Sequence, residues 1–503
     1  MMLMVNALAG CGKTTTGLWG LGDRVKKGMI VTEEQKAIVE EMRKYNKGTS
    51  AACAFNVSIK NELQVRAPQG VVVSTCNGFG NQAWCKHLDI SKCTVDPYKN
   101  GKLFRDLVGK SMEWKERARV ESAVSNIVGL AKSYMFNLSA ETATNWIEGD
   151  TWVDGHGAML WLCERFDIDK DPVVLEYAVK VFLKGISTES YIDFDDQNFL
   201  PLFYDVKTIP QFDHLLVDEY QDLNRAKQEM AFRMGKQITA IGDVNQAIYG
   251  FSGADAEAME NGWGRMVQMD GKSRRLGLTL TRRCPKSVVK LANTIVPELR
   301  AADDAPDGIE MKMGMQDFMP IMGNEPSMII CRINAPLTSL AFRMISERKR
   351  CYIQGRDIGA GLKSELRGTG TNILSDALAK AYDKIDKRIR EVASRDFVDE
   401  AKIEALNDKK LCIEVLSAEA DTIEEFNNVV DSLFKDSGGP DDTRLSSCHK
   451  AKGLEHKNVF IYDAGRLQLK TKKAYQKKQE SNLAYVAYTR SMHKLVRVYS
   501  DKD

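Results

Sequence analysis

The sequence lacks several features that would have settled its class at once. No apolar run approaches the ~20 residues of a membrane-crossing helix, so no membrane association is expected and a cytoplasmic protein, bacterial or in an infected host, is. Charge of one sign is missing too: 71 Lys and Arg against 69 Asp and Glu leave a net +2. Nucleic-acid contact must therefore come from local basic surfaces and not from a global field. The 11 cysteines show no pairing rhythm, which points to reduced thiols. Cys76, Cys85 and Cys93 with His87 form one loose cluster, but their spacing matches no zinc pattern. There is no internal repeat and no low-complexity tract. The apolar start, Met1–Leu8, is too short for a secretory leader and carries no basic residues. Ala7-Leu8-Ala9 resembles a cleavage site, but a cut there would destroy the loop described below.

What is present suits a globular protein with substantial cores: 43% hydrophobic and 28% charged residues over 503 positions. That length accommodates roughly three to four domain-sized units. Short apolar runs alternate with helical patterns, as in parallel sheets covered by helices. The runs Met2–Asn6, Val71–Thr75, Leu215–Asp218, Ile238–Gly242, Ser327–Cys331 and Val459–Tyr462 read as buried strands. Their chemically useful residues stand at the carboxyl ends, where α/β sheets place ligands. Two stretches, about 92–185 and 374–434, read as helical insertions. In the first, Trp114, Trp146, Trp152 and Trp161 read as core residues.

The chemistry concentrates in a few segments. Ala7–Thr15 has the spacing of a phosphate-binding loop after a strand and before a helix. Its small residues let successive N–H groups of Ala9, Gly10, Cys11, Gly12 and Thr15 face phosphate at a helix amino terminus. Lys13 is expected on the β- and γ-phosphates of ATP, and Thr14 on Mg²⁺. Asp218 and Glu219 end an apolar run; Asp218 is expected to hold the metal and Glu219 to deprotonate the attacking water. Gln246 follows the next strand and is expected at the γ-phosphate or its water. Arg283 and Arg490, the latter read as helical, are expected as arginine fingers. A site assembled from both ends of a long chain is expected in a cleft between domains.

In order along the chain these segments resemble the motif series of superfamily 1 DNA helicases of the UvrD/Rep/PcrA type. Ala51–Asn56, Ser74–Gly80, Ile192–Asp196, Val217–Asn224, Gly242–Ala254, Leu280–Arg283, Cys448–Glu455 and Leu483–Arg490 carry the likeness. It implies an α/β fold of two RecA-like P-loop NTPase cores with helical insertion subdomains. The expected division is 1–91 and 191–275 for the first core around an insertion at 92–190. The second core, 276–366 and 441–503, surrounds a compact insertion at 367–440. The resemblance also implies that Glu455 contacts the ribose, that Arg282 occupies the base-stacking position, and that Arg283 and Arg490 reach the γ-phosphate. Phe55, Tyr249 and Phe251 would stack on bases, each against the alternative of core packing. Asn56, Thr75, Asn77 and His449 would contact the strand.

Departures from the pattern bear on adenine selectivity and DNA grip. No glutamine motif precedes the phosphate loop; Thr32–Gln35 looks similar but reads as a helix cap. Arg282 replaces a tyrosine, Ser252 an arginine and Asn77 a histidine. The segment Arg466–Lys478 carries six basic residues and no acidic one, and reads either as a loop on phosphate backbones or as a solvated surface. Little chain follows the last motif, so no appended nuclease is expected. The resulting expectation is an ATP- and Mg²⁺-dependent helicase or translocase on single-stranded and tailed or forked duplex DNA. The likeness implies 3′-to-5′ movement in replication, repair or recombination, with possible replication or repair proteins as partners. A protein-stripping translocase and an ATP-gated binding or loading module are the alternatives.

Overall fold

The computed structural model describes residues 2–23, 25, 29–45, 48–109, 111–136, 145–147, 151–153, 155–166, 168, 170–248, 257–394, 400–469 and 474–500. The chain divides into two compact units: Met1–Leu8 with Gly12–Leu278, and Ala9–Cys11 with Thr279–Asp503. Among the described residues no helix is long and apolar enough to cross a membrane.

The first unit is built on six strands: β1 Leu3–Ala7, β2 Ser50–Ala54, β3 Val72–Thr75, β4 His214–Val217, β5 Ile238–Gly242 and β6 Arg274–Leu278. They are hydrogen-bonded in the order β6-β1-β5-β4-β2-β3, and every pair is parallel. Parallel neighbours require crossovers, and helices covering both faces leave the central strands dry. That is why β4 and β5 are buried at every position. β1, β5 and β4 are neighbours, so the turns leaving their carboxyl ends share one edge of the sheet.

Between β3 and β4 lies a helical insertion with its own apolar core, including Phe104, Val124, Phe182 and Phe199. Trp161 packs against it, edge to face with Tyr134. Trp146 and Trp152 oppose each other across a short antiparallel pair, and their side chains, like that of Trp114, lie outside the described residues. The acidic segment at 192–196 is a buried ionic knot. Lys99 reaches Asp196 at 2.6 Å, while Lys132 reaches Asp193 at 2.6 Å and Asp196 at 2.8 Å. Both lysines are 0% exposed. Charges so deep are tolerated only when paired, so the knot fixes the insertion helices to this turn.

The second unit is built on a seven-stranded sheet: β7 Ile309–Gly314, β8 Met328–Cys331, β9 Cys351–Gln354, β10 Phe434–Lys435, β11 Thr443–Ser447, β12 His456–Ile461 and β13 Ser491–Tyr499. Their order is β7-β13-β12-β8-β11-β9-β10, again all parallel. Helices Arg356–Arg367, Leu374–Ala393, Glu400–Ser417 and Ile423–Leu433 intervene between β9 and β10. Their apolar faces join the core of the sheet through Leu366, Ile385, Ile413 and Phe426. Buried Glu365 binds Arg388 at 3.1 Å and Lys409 at 3.0 Å. The α/β class and the two RecA-like cores with helical insertions follow from these sheets.

Candidate active site

The loop after β1 is shaped by two glycines. Gly10 has φ 72° and Gly12 φ 80°, in the left-handed region that side chains avoid. Gly12 caps the helix Lys13–Leu21 without a side-chain bond, leaving the first amides of that helix for a ligand. Ala9 and Cys11 are buried, and the Cys11 thiol lies 3.7 Å from the Ala9 carbonyl. On the first helical turn Thr14 donates its hydroxyl to Asp218 Oδ2 at 2.8 Å, and Lys13 Nζ meets Glu219 Oε2 at 3.1 Å. Thr14 and Asp218 bring a hydroxyl and a carboxylate oxygen together, the hard donors a small divalent cation such as Mg²⁺ takes.

Glu219 is held in an unusual backbone. Its φ is 53°, disfavoured for a residue with a side chain, and its N–H donates to Asp218 Oδ1 at 3.0 Å. Strain of this kind persists where the surroundings over-determine it. Here Gln221 does so: its Nε2 donates to Glu219 at 2.5 Å, and its Oε1 accepts the Asp243 N–H at 3.0 Å. Asp243, at the end of β5, accepts from Gln246 Nε2 at 2.6 Å. Gln246 is thus brought into the carboxylate cluster through Asp243.

The electrostatics follow from crowding. Burial disfavours the Lys13 ammonium, but Glu219, Asp243 and Asp218 outweigh it and hold its pKa above the ordinary lysine value. Burial, and then the Glu219 carboxylate, push Asp218 up to about 6 against the pull of Lys13 and Thr14. Burial also raises Asp243. The cluster therefore holds more negative charge than Lys13 alone compensates, which is a site that favours added cations.

Three residues at this site escaped the sequence reading. Asp243 was legible, standing directly after a strand and three residues before Gln246. Gln35 was legible only as a cap: Thr32 and Gln35 exchange reciprocal bonds of 3.1 Å, as expected. Its amide also donates to Thr16 Oγ1 at 3.0 Å, behind the phosphate loop. Arg66 donates to Thr15 Oγ1 at 2.7 Å from 51 residues away, a contact without any local signal.

The second unit gathers the other candidates. Arg283 Nε donates to Glu455 Oε2 at 2.5 Å. Next to it, the Cys284 thiol points at the Thr489 carbonyl at 3.6 Å, and the His456 N–H donates to the Arg490 carbonyl at 3.0 Å. Arg283, Glu455 and Arg490 therefore share one neighbourhood. Arg490 is not helical, contrary to expectation. The helix Ala474–Tyr488 stops two residues earlier: the Arg490 N–H bonds back to Ala487 O at 3.4 Å, three residues away, and β13 begins at Ser491. The Arg490 guanidinium is 1% exposed and donates to Val486 O, Leu454 O and Thr489 Oγ1 at 2.7, 3.1 and 3.0 Å. Arg282 is more open, 3.6 Å from Asp304.

A family model described as the UvrD/REP helicase N-terminal domain matches residues 2–262, and one described as the UvrD-like helicase C-terminal domain matches residues 370–502. The chain belongs to the UvrD/Rep helicase family. F-box DNA helicase protein 1 of Schizosaccharomyces pombe is 22% identical over 499 residues, covering 93% of this chain and 55% of that protein. An ATP-dependent helicase/nuclease subunit of Leuconostoc mesenteroides is 27% identical over 203 residues, covering 35% of this chain and 16% of the relative. The chain thus spans about half the length of the first relative and far less of the second. A solved structure titled "Crystal structure of Arterivirus nonstructural protein 10 (helicase)" aligns over 99% of this chain and 59% of that one, at 9% identity and a TM-score of 0.34.

Within this UvrD/Rep chain the residues expected on the nucleic-acid strand already hold structural positions. Asn56 Oδ1 accepts the Ile59 N–H at 2.9 Å and Thr75 Oγ1 the Gly78 N–H at 3.0 Å, each capping a helix. Asn77 donates to Phe194 O at 2.8 Å and accepts from Asn198 at 2.9 Å, tying the β3 end to the acidic turn. Phe55 is half-buried against the core, with Lys227 Nζ 5.4 Å from its ring centre. Burial, and then Arg332, lower the pKa of His449 to about 3, which keeps the ring neutral. Tyr249, Phe251 and Ser252 lie outside the described residues, as do Lys470, Lys472 and Lys473 of the basic segment.

Proposed function

We propose that this chain is an ATP-driven motor on single-stranded DNA that moves 3′ to 5′ and opens tailed or forked duplexes. The carrying observation is the pair of contacts Lys13–Glu219 and Thr14–Asp218, made by turns that leave neighbouring parallel strands. In this reading Thr14 and Asp218 would hold Mg²⁺, which when bound would supply charge neutralisation. Lys13 exchanges Glu219 for phosphate oxygens. Glu219, released from the ammonium and still oriented by Gln221, takes the proton of the attacking water. Gln246, anchored on Asp243, senses the γ-phosphate end of the site. Arg283 and Arg490 offset the charge that develops in the transition state, Glu455 releasing Arg283 to bind the ribose. The family membership and the shared neighbourhood of these three residues support that assignment. Phe55, Tyr249 and Phe251 stack on bases, and Asn56, Thr75, Asn77 and His449 meet the strand.

Steady-state ATP hydrolysis by the purified protein tests this, with no nucleic acid, single-stranded DNA, duplex DNA or single-stranded RNA. Strong stimulation by single-stranded DNA, abolished in Lys13→Ala, is the expected result. Turnover indifferent to all three would replace the motor with an ATP-gated binding module. Displacement of a bound protein without strand separation on a forked substrate would replace the helicase with a stripping translocase.

A further inference from the structure

Two pairs of thiols meet in the first unit, and they are not equivalent. Cys53, on β2, and Cys76, the first residue of the helix Cys76–His87, have sulfurs 2.7 Å apart. Cys85 and Cys93 stand 3.4 Å apart. All four are buried free thiols. The first separation exceeds a disulfide bond of ~2.05 Å by about 0.7 Å. The sheet holds it there: β2 and β3 are parallel neighbours, with Cys53 beside Ser74 and Cys76 directly past the last strand residue, Thr75.

The pairs differ in acidity as well. The hydrogen bond from Cys53 lowers the Cys76 thiol against the opposing effect of burial, and Lys227 adds to the lowering. A position in the first turn of a helix acts in the same direction. Burial instead pushes Cys93 up to about 12. A thiol of lowered pKa with a second thiol at its side is the arrangement of a redox couple.

We propose that Cys53 and Cys76 form a dithiol–disulfide site for small hydroperoxides. The Cys76 thiolate attacks one peroxide oxygen, the O–O bond breaks, and one water leaves after protonation, giving a sulfenic acid. The Cys53 thiol then attacks that sulfur, the S–O bond breaks, and a second water leaves as the S–S bond forms. Two thiols and one hydrogen peroxide thus give one disulfide and two waters. Exposures of 1% at Cys53 and 2% at Cys76 restrict the oxidant to small uncharged peroxides and shut out bulky disulfides such as oxidised glutathione.

The bond would staple the carboxyl ends of β2 and β3 beside Phe55–Asn56 and Thr75–Asn77. This consequence rests on the DNA reading above: fixing the two turns weakens the fit of a strand to them.

The test treats the native full chain with hydrogen peroxide, alkylates free thiols after unfolding, and digests without reduction. Mass spectrometry should find the Cys53 and Cys76 peptides linked, two hydrogens lighter than their sum, and separated by dithiothreitol. Cys85 and Cys93 should remain alkylated at the same dose, and oxidised glutathione should link nothing. Alkylated Cys53 and Cys76 throughout the dose range, earlier linkage of Cys85 to Cys93, or a sulfinic acid on Cys76 without linkage would overturn the site. In Cys53→Ala, Cys76 should accumulate a sulfenic acid trapped by dimedone, and a failure to label would also count against it. Anisotropy of a labelled oligothymidylate should then show several-fold weaker binding after oxidation, restored by reduction. Equal affinity in both states overturns the regulatory consequence. No binding in either state overturns the DNA reading and leaves the thiol site intact.

Discussion

The carboxyl ends of the two sheets carry opposite chemistry. In the first unit, Asp218, Glu219 and Asp243 crowd around one lysine, and the loop ahead of them offers amides and a hydroxyl. In the second, Arg283 and Arg490 share a neighbourhood with one acid, Glu455. The first is suited to a cation and to base chemistry; the second is suited to an anion. Similar parallel scaffolds thus present opposite charge at their carboxyl ends, because the turns after their strands differ while the strands do not.

Substitutions that break this contrast rank by size. The largest effect is expected from Glu219→Gln, which keeps the Gln221 bond but removes the base. Turnover measured by phosphate release should fall about 10²–10⁴-fold, with binding of a fluorescent nucleotide retained. Wild-type turnover would show that another group takes the proton.

Next come the arginines, which the structure separates although the sequence treats them alike. Arg283→Ala and Arg490→Ala should both suppress turnover. Arg283 is paired near the surface, so its loss should leave the urea midpoint within about 0.5 kcal/mol of wild type. Arg490→Ala removes three hydrogen bonds of a buried guanidinium, to Val486 O, Leu454 O and Thr489 Oγ1, and should destabilise the chain by about 3 kcal/mol. Equal stability of the two variants would contradict the burial of Arg490.

The acid response is the smallest and sharpest contrast. In the first unit burial lowers the pKa of His214 to about 4, so its contribution to stability is complete above pH 6.5 and is lost as pH falls toward 4. The window corresponds to about 3 kcal/mol at most. In the second unit burial works against the Glu365 carboxylate, but Lys409, Arg388 and Lys384 win and hold its pKa at about 2. Its contribution is complete above pH 4.5 and is lost only toward pH 2. Acid titration followed by urea midpoints should therefore show the losses from His214 and from His449 of the second unit, held at about 3, before that from Glu365. His214→Gln should flatten the upper part of the curve, and an unchanged profile would remove His214 as its cause.

Most of the strands were legible because they read as short apolar runs, buried throughout in β4, β5 and β8. Ile238–Gly242 falls where expected, and Leu3–Ala7, Val72–Thr75, His214–Val217 and Met328–Cys331 within one residue. Ser50–Ala54 was visible as a motif but not as a strand, since alanine, serine and cysteine carry little β preference. β13 was hidden behind a helix expected to run through Arg490. At the site, Lys13, Thr14, Asp218 and Glu219 announced themselves by spacing. The second contact of Gln35 and the bond from Arg66 to Thr15 could not, because nothing local in the chain marks a partner 19 or 51 residues away.

By itself, then, the sequence determined the strands, the order of the motifs and the residue types at the strand ends, since periodicity and spacing are local properties. Tertiary structure alone decided which of those residues meet. Strand order placed the turns of β1, β4 and β5 side by side, Arg490 was drawn onto the Leu454 carbonyl, and parallel pairing of β2 with β3 brought Cys53 to Cys76. Each of these contacts joins residues distant along the chain, and only packing of the sheet sets such distances.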